Sequence, residues 1–231
     1  MNNFYYPAHH NKLREYLLGY NRLYAYPNAP SITNEHKIIL DSGAFHMYKA
    51  RKPMTVEYAD KLLKHYEQFK GLDNVYCICA DTPKNPYKTK KLLEYMLKQN
   101  PLVCPVLHNP SNKGFDAFSI KKQIDEYSKI CSDRFIAISR SQLDINSNNT
   151  LNTMKFVVGL AKKHFKHFHV FGAGYNQYEV MRWRKTGCDS IDSISYYTDA
   201  ECGDSWNSNY DGSCDFISLS IANLTEANRI D

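Results

Sequence analysis

Residues 75–83, VYCICADTP, decide the fold. The run 75–80 is continuously apolar and stops at Asp81-Thr82-Pro83, where an acceptor side chain and a proline begin a turn. A strand with one wet face would alternate, so an unbroken run of this length reads as a parallel strand covered on both faces. Just upstream, residues 55–69 place Val56, Ala59, Leu62, Leu63 and Tyr66 on one helical face behind a Thr55 cap. Just downstream, residues 87–99 show the same spacing and lead into the next apolar run, 102–107 (LVCPVL). Helix, strand, helix, strand is the repeating unit of a parallel α/β domain.

The alternation continues outward in both directions. Further strand-like runs are 37–40 (KIIL), 134–138 (RFIAI), 167–171 (HFHVF), 188–191 (CDSI) and 215–219 (DFISL), and 22–26 (RLYAY) supplies an eighth at the start. Helical spacing fills residues 118–131, 151–165 and 177–185. Eight units predict a compact (β/α)8 barrel. An open doubly wound sheet would carry a GxGxxG turn after its first strand, and this sequence has none. With 231 residues, no internal repeat and no low-complexity linker, the chain 1–231 reads as one domain.

Composition narrows the class. Hydrophobic residues make up 43%, enough for a core, yet no apolar run approaches the roughly 20 residues that span a bilayer. The start, MNNFYYPAHHNKLREY, lacks the pattern of a signal peptide, so the expectation is a cytoplasmic protein. Seven cysteines fall without a CxxC pair, which favours reduced thiols over a disulfide framework or a zinc module. The net charge of +5 is compatible with a polyanionic partner.

A parallel barrel keeps its chemistry at the carboxyl ends of its strands. Here those ends carry Asp41-Ser42-Gly43, Asp81-Thr82-Pro83, His108-Asn109, Ser139-Arg140, Gly172-Ala173-Gly174 and Asp192-Ser193. One Asp in such a place is ordinarily a helix cap. Three carboxylates with a His and small-residue turns on one rim point to a site.

The order Asp41-Ser42-Gly43-Ala44-Phe45, Ala80-Asp81-Thr82-Pro83, Phe171-Gly172-Ala173-Gly174 and Gly187-Cys188-Asp189-Ser190-Ile191-Asp192 resembles the tRNA-guanine transglycosylase superfamily. The matches span about residues 37–192, and the Asp-Thr-Pro piece looks more like the archaeal-type and DNA-modifying branches. The resemblance implies exchange of a guanine in a nucleic acid for a free 7-deazaguanine, without a cofactor. It implies that Asp192 is the nucleophile and Asp41 the general acid/base. Asp81 would grip the base edge, and the Gly172–Gly174 turn would let backbone approach base or ribose. Ser42, Gly43, His108, Ser139 and Arg140 complete the expected substrate-binding rim. Arg140, Lys84 and Arg51 are the candidate phosphate contacts.

Departures from the pattern carry information. Ala44 replaces a family glycine, Ser139-Arg140 a Gly-Gly turn, and Ser195-Tyr196-Tyr197 a Pro-Thr-Arg run. Cys202 and Cys214 do not make the family's zinc subdomain. The shortness favours relatives, often phage-encoded, that modify DNA. A homodimer or a modification complex is compatible with this reading. The same chemistry on tRNA, a silent nucleic-acid-binding barrel and a small-molecule lyase or hydrolase stay open. His164, His167 and His169 straddle a helix end and a strand start, a spacing that need not bring the rings together, so no metal is assigned. Asp189 either orients the site or starts a strand. Cys77 and Cys79 read as packed thiols.

Overall fold

The computed structural model describes residues 3–7, 21–30, 37–111, 114–131, 134–142, 149–173, 182–183, 185–193, 195–206, 209–212 and 215–229. The strands are β1 (Asn3–Pro7), β2 (Arg22–Ala25), β3 (Ile38–Asp41), β4 (Val75–Ile78), β5 (Val103–Cys104), β6 (Val106–Leu107), β7 (Phe135–Ser139), β8 (His167–Phe171) and β9 (Ser190–Asp192). The helices are α1 (Ala44–Lys49), α2 (Val56–Glu67), α3 (Pro86–Leu97), α4 (Ala117–Cys131), α5 (Asn149–Ala161), α6 (Ser195–Glu201) and α7 (Phe216–Arg229).

All ladders are parallel, in the order β5-β4-β3-β2-β1-β9-β8-β7-β6. The two ends of that order are halves of one segment, split at Pro105. A proline has no N–H to give a ladder, but its carbonyl still accepts from Ala137 N at 3.1 Å, while Cys104 O accepts from Cys79 N at 2.9 Å. One segment therefore faces β4 with its first half and β7 with its second. This is the (β/α)8 architecture.

Two strand assignments need correction. The first strand is Asn3–Pro7, paired with β9 and β2, and not residues 22–26, which form the second. Residues 215–219 open helix α7 instead of forming a strand. Asp215 caps it, with Oδ1 accepting from Ile217 N at 3.0 Å and Ser218 N at 3.1 Å. The longer spacing of buried Leu219, Asn223, Leu224 and Ala227 is helical. The helix expected at 177–185 lies largely outside the described residues.

The other helices follow the expected faces. Ala59, Leu62, Leu63 and Tyr66 of α2 are buried, whereas Val56, its first residue, is 43% exposed. Tyr66 Oη reaches Ile78 O at 2.8 Å and Leu40 O at 3.3 Å, tying α2 to β3 and β4. Cys77 and Cys79 are both buried, and burial pushes the Cys77 thiol up to about 12. Among the described residues no helix is long and apolar enough to cross a membrane.

Candidate active site

Asp41 ends β3, Asp81 follows β4 and Asp192 ends β9, so the three carboxylates lie at the carboxyl face of the sheet. Local structure fixes each one. Asp41 Oδ2 accepts from Gly43 N at 3.2 Å, which folds the chain back before α1. Gly43 takes φ +71 there, and a Cβ would stand 3.2 Å from both Tyr26 O and Tyr58 Oη. Glycine is therefore required at 43, while Ala44 begins the helix with ordinary backbone; the Ala44 departure leaves the turn intact. Gly43→Ala is expected to lower stability by about 1–2 kcal/mol, measured by urea unfolding.

Asp81 is held from two sides. Ser42 Oγ donates to its Oδ1 at 2.6 Å, and His108 Nε2 lies 3.1 Å from its Oδ2. The turn carrying Asp81 is pinned by Thr89, whose Oγ1 accepts from Thr82 N at 2.9 Å. His108 is clamped through its backbone: its N–H donates to Gln123 Oε1 at 2.9 Å and its carbonyl accepts from Gln123 Nε2 at 2.7 Å. Helix α4 thus sets the position of a residue two elements away from Asp41.

Asp192 Oδ1 accepts from Gly172 N at 3.1 Å and lies 3.0 Å from His169 Nε2. Behind His169, Ser190 Oγ stands 2.7 Å from His169 Nδ1 and 2.5 Å from His167 Nε2. Alternation explains the column: His167 and His169 share one face of β8, Ser190 and Asp192 one face of β9, and His169 pairs with Ser190 in register. One set of ring tautomers gives every contact a donor: His167 Nε2–H to Ser190 Oγ, Ser190 O–H to His169 Nδ1, and His169 Nε2–H to Asp192. Burial, and then the neighbouring His169, holds His167 well below the usual imidazole range. His167 also stacks on Phe135, ring centroids 5.0 Å apart, with Tyr76 beside them.

The surroundings of Asp41 raise its affinity for a proton. Burial first, and then the negative charge of Asp81, raises Asp41 to about 7; Asp192 adds a smaller push against the Gly43 hydrogen bond. Asp41 keeps a partly exposed edge, as a proton-exchanging group needs. The charges of all three residues act in one space.

Of the other rim residues, Gly172 is left-handed at φ +60, a conformation glycine adopts without strain, and open space surrounds its Cβ direction. Gly174 lies outside the described residues. Ser139 Oγ meets Ser141 Oγ at 2.9 Å, and Arg140, 9% exposed, opens a 3-10 turn at Arg140–Gln142. Arg51 and Lys84 are exposed and left-handed at φ 53 and 63. Asp189 is not part of the mouth: it pairs with Lys162 at 2.7 Å and accepts from Phe168 N at the opposite end of the strand. Tyr196 is buried, and Tyr197 meets Phe216 edge-on at 4.7 Å, so this pair packs into the fold.

Sequence reasoning missed His169 and Ser190 as partners of Asp192. The signal was the two-residue spacing within each strand. His169→Ala should lower turnover roughly 10- to 100-fold, the worth of a hydrogen bond to a charged group, with KM little changed. His169→Gln should restore part of the loss; equal losses in both variants would contradict a positioning role.

No family model and no curated protein matches the chain. Solved structures do. The chain is similar to QR15, an aldolase, at 15% identity and a TM-score of 0.55, covering 84% of this chain and 90% of that one. It is also similar to tryptophan synthase subunit alpha from Campylobacter jejuni, at 12% identity and a TM-score of 0.53, covering 96% and 95%. At these identities the likeness establishes the fold, a TIM barrel.

Proposed function

We propose that this chain is a base-exchange transglycosylase that replaces a guanine in DNA with a 7-deazaguanine through a covalent bond to Asp192. The observation that carries the reading is the meeting of three strand-end carboxylates, one of which, Asp41, holds its proton up to about 7. Carboxyl groups driven to different tasks by their surroundings divide acid and nucleophile work.

The geometry supports the following sequence of steps. The Asp192 carboxylate, aligned by His169 and the Gly172 N–H, attacks the anomeric carbon as the bond to guanine breaks. The Asp41 carboxylic acid gives its proton to the departing base. The incoming 7-deazaguanine then gives a proton back to the Asp41 carboxylate and attacks the same carbon, which releases Asp192. Two displacements retain the original configuration. Asp81 already accepts from Ser42 and faces His108, and its remaining lone pairs suit the N1–H and exocyclic amine of a guanine. The target base must leave its stack to enter the mouth.

Incubating the protein with labelled 7-deazaguanine and either duplex DNA or tRNA tests the reading. Label is expected in DNA; label in tRNA alone would move the substrate to tRNA, and label in neither would refute base exchange.

A further inference from the structure

Single exposed apolar residues are ordinary, but a set that recurs at one position of several helices marks a surface. Phe45, Tyr87 and Phe118 are 53%, 68% and 79% exposed. Each is the second residue of its helix: α1, α3 and α4 begin at Ala44, Pro86 and Ala117. Those helices follow β3, β4 and β6, the strands whose ends carry Asp41, Asp81 and His108. The three rings therefore stand at the starts of helices that leave the carboxyl ends of successive strands of the sheet, an arc in the order of β3, β4 and the β5–β6 segment.

Each ring is followed four residues later by a lysine: Lys49, Lys91 and Lys122. A four-residue step puts the two side chains on one helical face. The ammonium groups of Lys49 and Lys91 each lie 4.5 Å from the centroid of their ring. Among the described residues none of the three lysines has a carboxylate partner, whereas Lys90 turns to Glu126 at 3.0 Å and Lys121 to Asp125 at 3.0 Å. Beside the first pair, Lys49, Arg51 and Lys52 line an open depression of about 540 Å³ together with Tyr48.

We propose that this arc docks a single strand of nucleic acid, with bases stacking on Phe45, Tyr87 and Phe118 and phosphates held by the lysines. Exposed π-faces beside unpaired cations, repeated at one spacing, are the recognition chemistry of a strand whose bases are unstacked. The proposal rests on the base-exchange reading only for the placement of the target base at the carboxylates; the binding surface is separable from the chemistry.

The test is fluorescence anisotropy of the full chain with a labelled single-stranded oligodeoxynucleotide and the same sequence as RNA, across a salt series. The variant K49A/K91A/K122A should bind at least tenfold more weakly at low salt. It should also lose about 2 from the slope of log K against log salt, since each lost phosphate contact on a single strand removes about 0.7. The variant F45A/Y87A/F118A should weaken binding by roughly tenfold or more with the slope unchanged. The preferred sugar is read from the two probes. Wild-type affinity and slope in either variant, or no binding by the wild type, would overturn the arc. Binding that depends on the arc in a protein that exchanges no base supports the arc and refutes the transglycosylase reading. Base exchange that proceeds with the arc removed and strand binding intact does the reverse.

Discussion

Asp41→Asn is expected to lower base exchange by roughly 10²–10⁴-fold, the usual worth of a positioned general acid. Asn keeps the shape and still accepts from Gly43 N, so the turn into α1 stays formed. On the base-exchange reading, the wild type must hold the Asp41 proton to start the reaction. Because burial and then Asp81 raise that group to about 7, kcat/KM should fall as pH rises through about 7. The residual activity of the Asn variant should lack this limb. The stability of the Asn variant should change in the opposite sense to its activity. A carboxyl whose folded value lies above its unfolded one favours folding below the unfolded value, and that advantage is lost as pH rises through the folded value. At pH 8 the wild type therefore carries an ionised Asp41 against burial and two like charges. Asp41→Asn should be the more stable protein there, on the order of 2 kcal/mol after allowance for its partly exposed edge. Urea unfolding at pH 8 measures this, and a less active variant with no gain in stability would contradict the assigned environment.

Asp192→Asn is expected to abolish the covalent intermediate and to reduce exchange by roughly 10⁴-fold or more, as loss of a nucleophile does elsewhere. Its Oδ1 still accepts from His169 and Gly172 N, so the variant tests the attacking group and not the fold. Circular dichroism and strand binding should match the wild type. Exchange at the wild-type rate would remove Asp192 from the reaction.

Why part of this was legible in the sequence follows from particular residues. Asp41, Asp81 and His108 each stop a continuously apolar run, and the contrast marks the end of a buried strand. Asp192 stops a shorter run, and the strand turns out to start at Ser190 and end on Asp192 itself. β1 escaped because its strand-favouring run, Phe4-Tyr5-Tyr6, is only three residues long and is closed at once by a proline. Residues 215–219 misled because five apolar-rich positions fit either element; only the spacing onward to Ala227 separates them. The His167–Ser190–His169–Asp192 column joins two strands far apart in sequence, and only the register of β8 against β9 brings them together. Read along one strand, the same histidines suggest a metal pattern, although His164 belongs to the turn before β8 and donates its N–H to Ala161 O. The arc of exposed aromatics was hidden for a similar reason: a spacing of four repeats in three helices that the sequence never places side by side.

The most direct measurement is a denaturing trap of the wild-type protein with its oligonucleotide, followed by peptide mapping of the adduct by mass spectrometry. The account predicts a sugar-linked peptide carrying the modification on Asp192, which disappears when excess 7-deazaguanine is added before quenching. Base exchange with the adduct on another residue, or with no adduct at all, would contradict it.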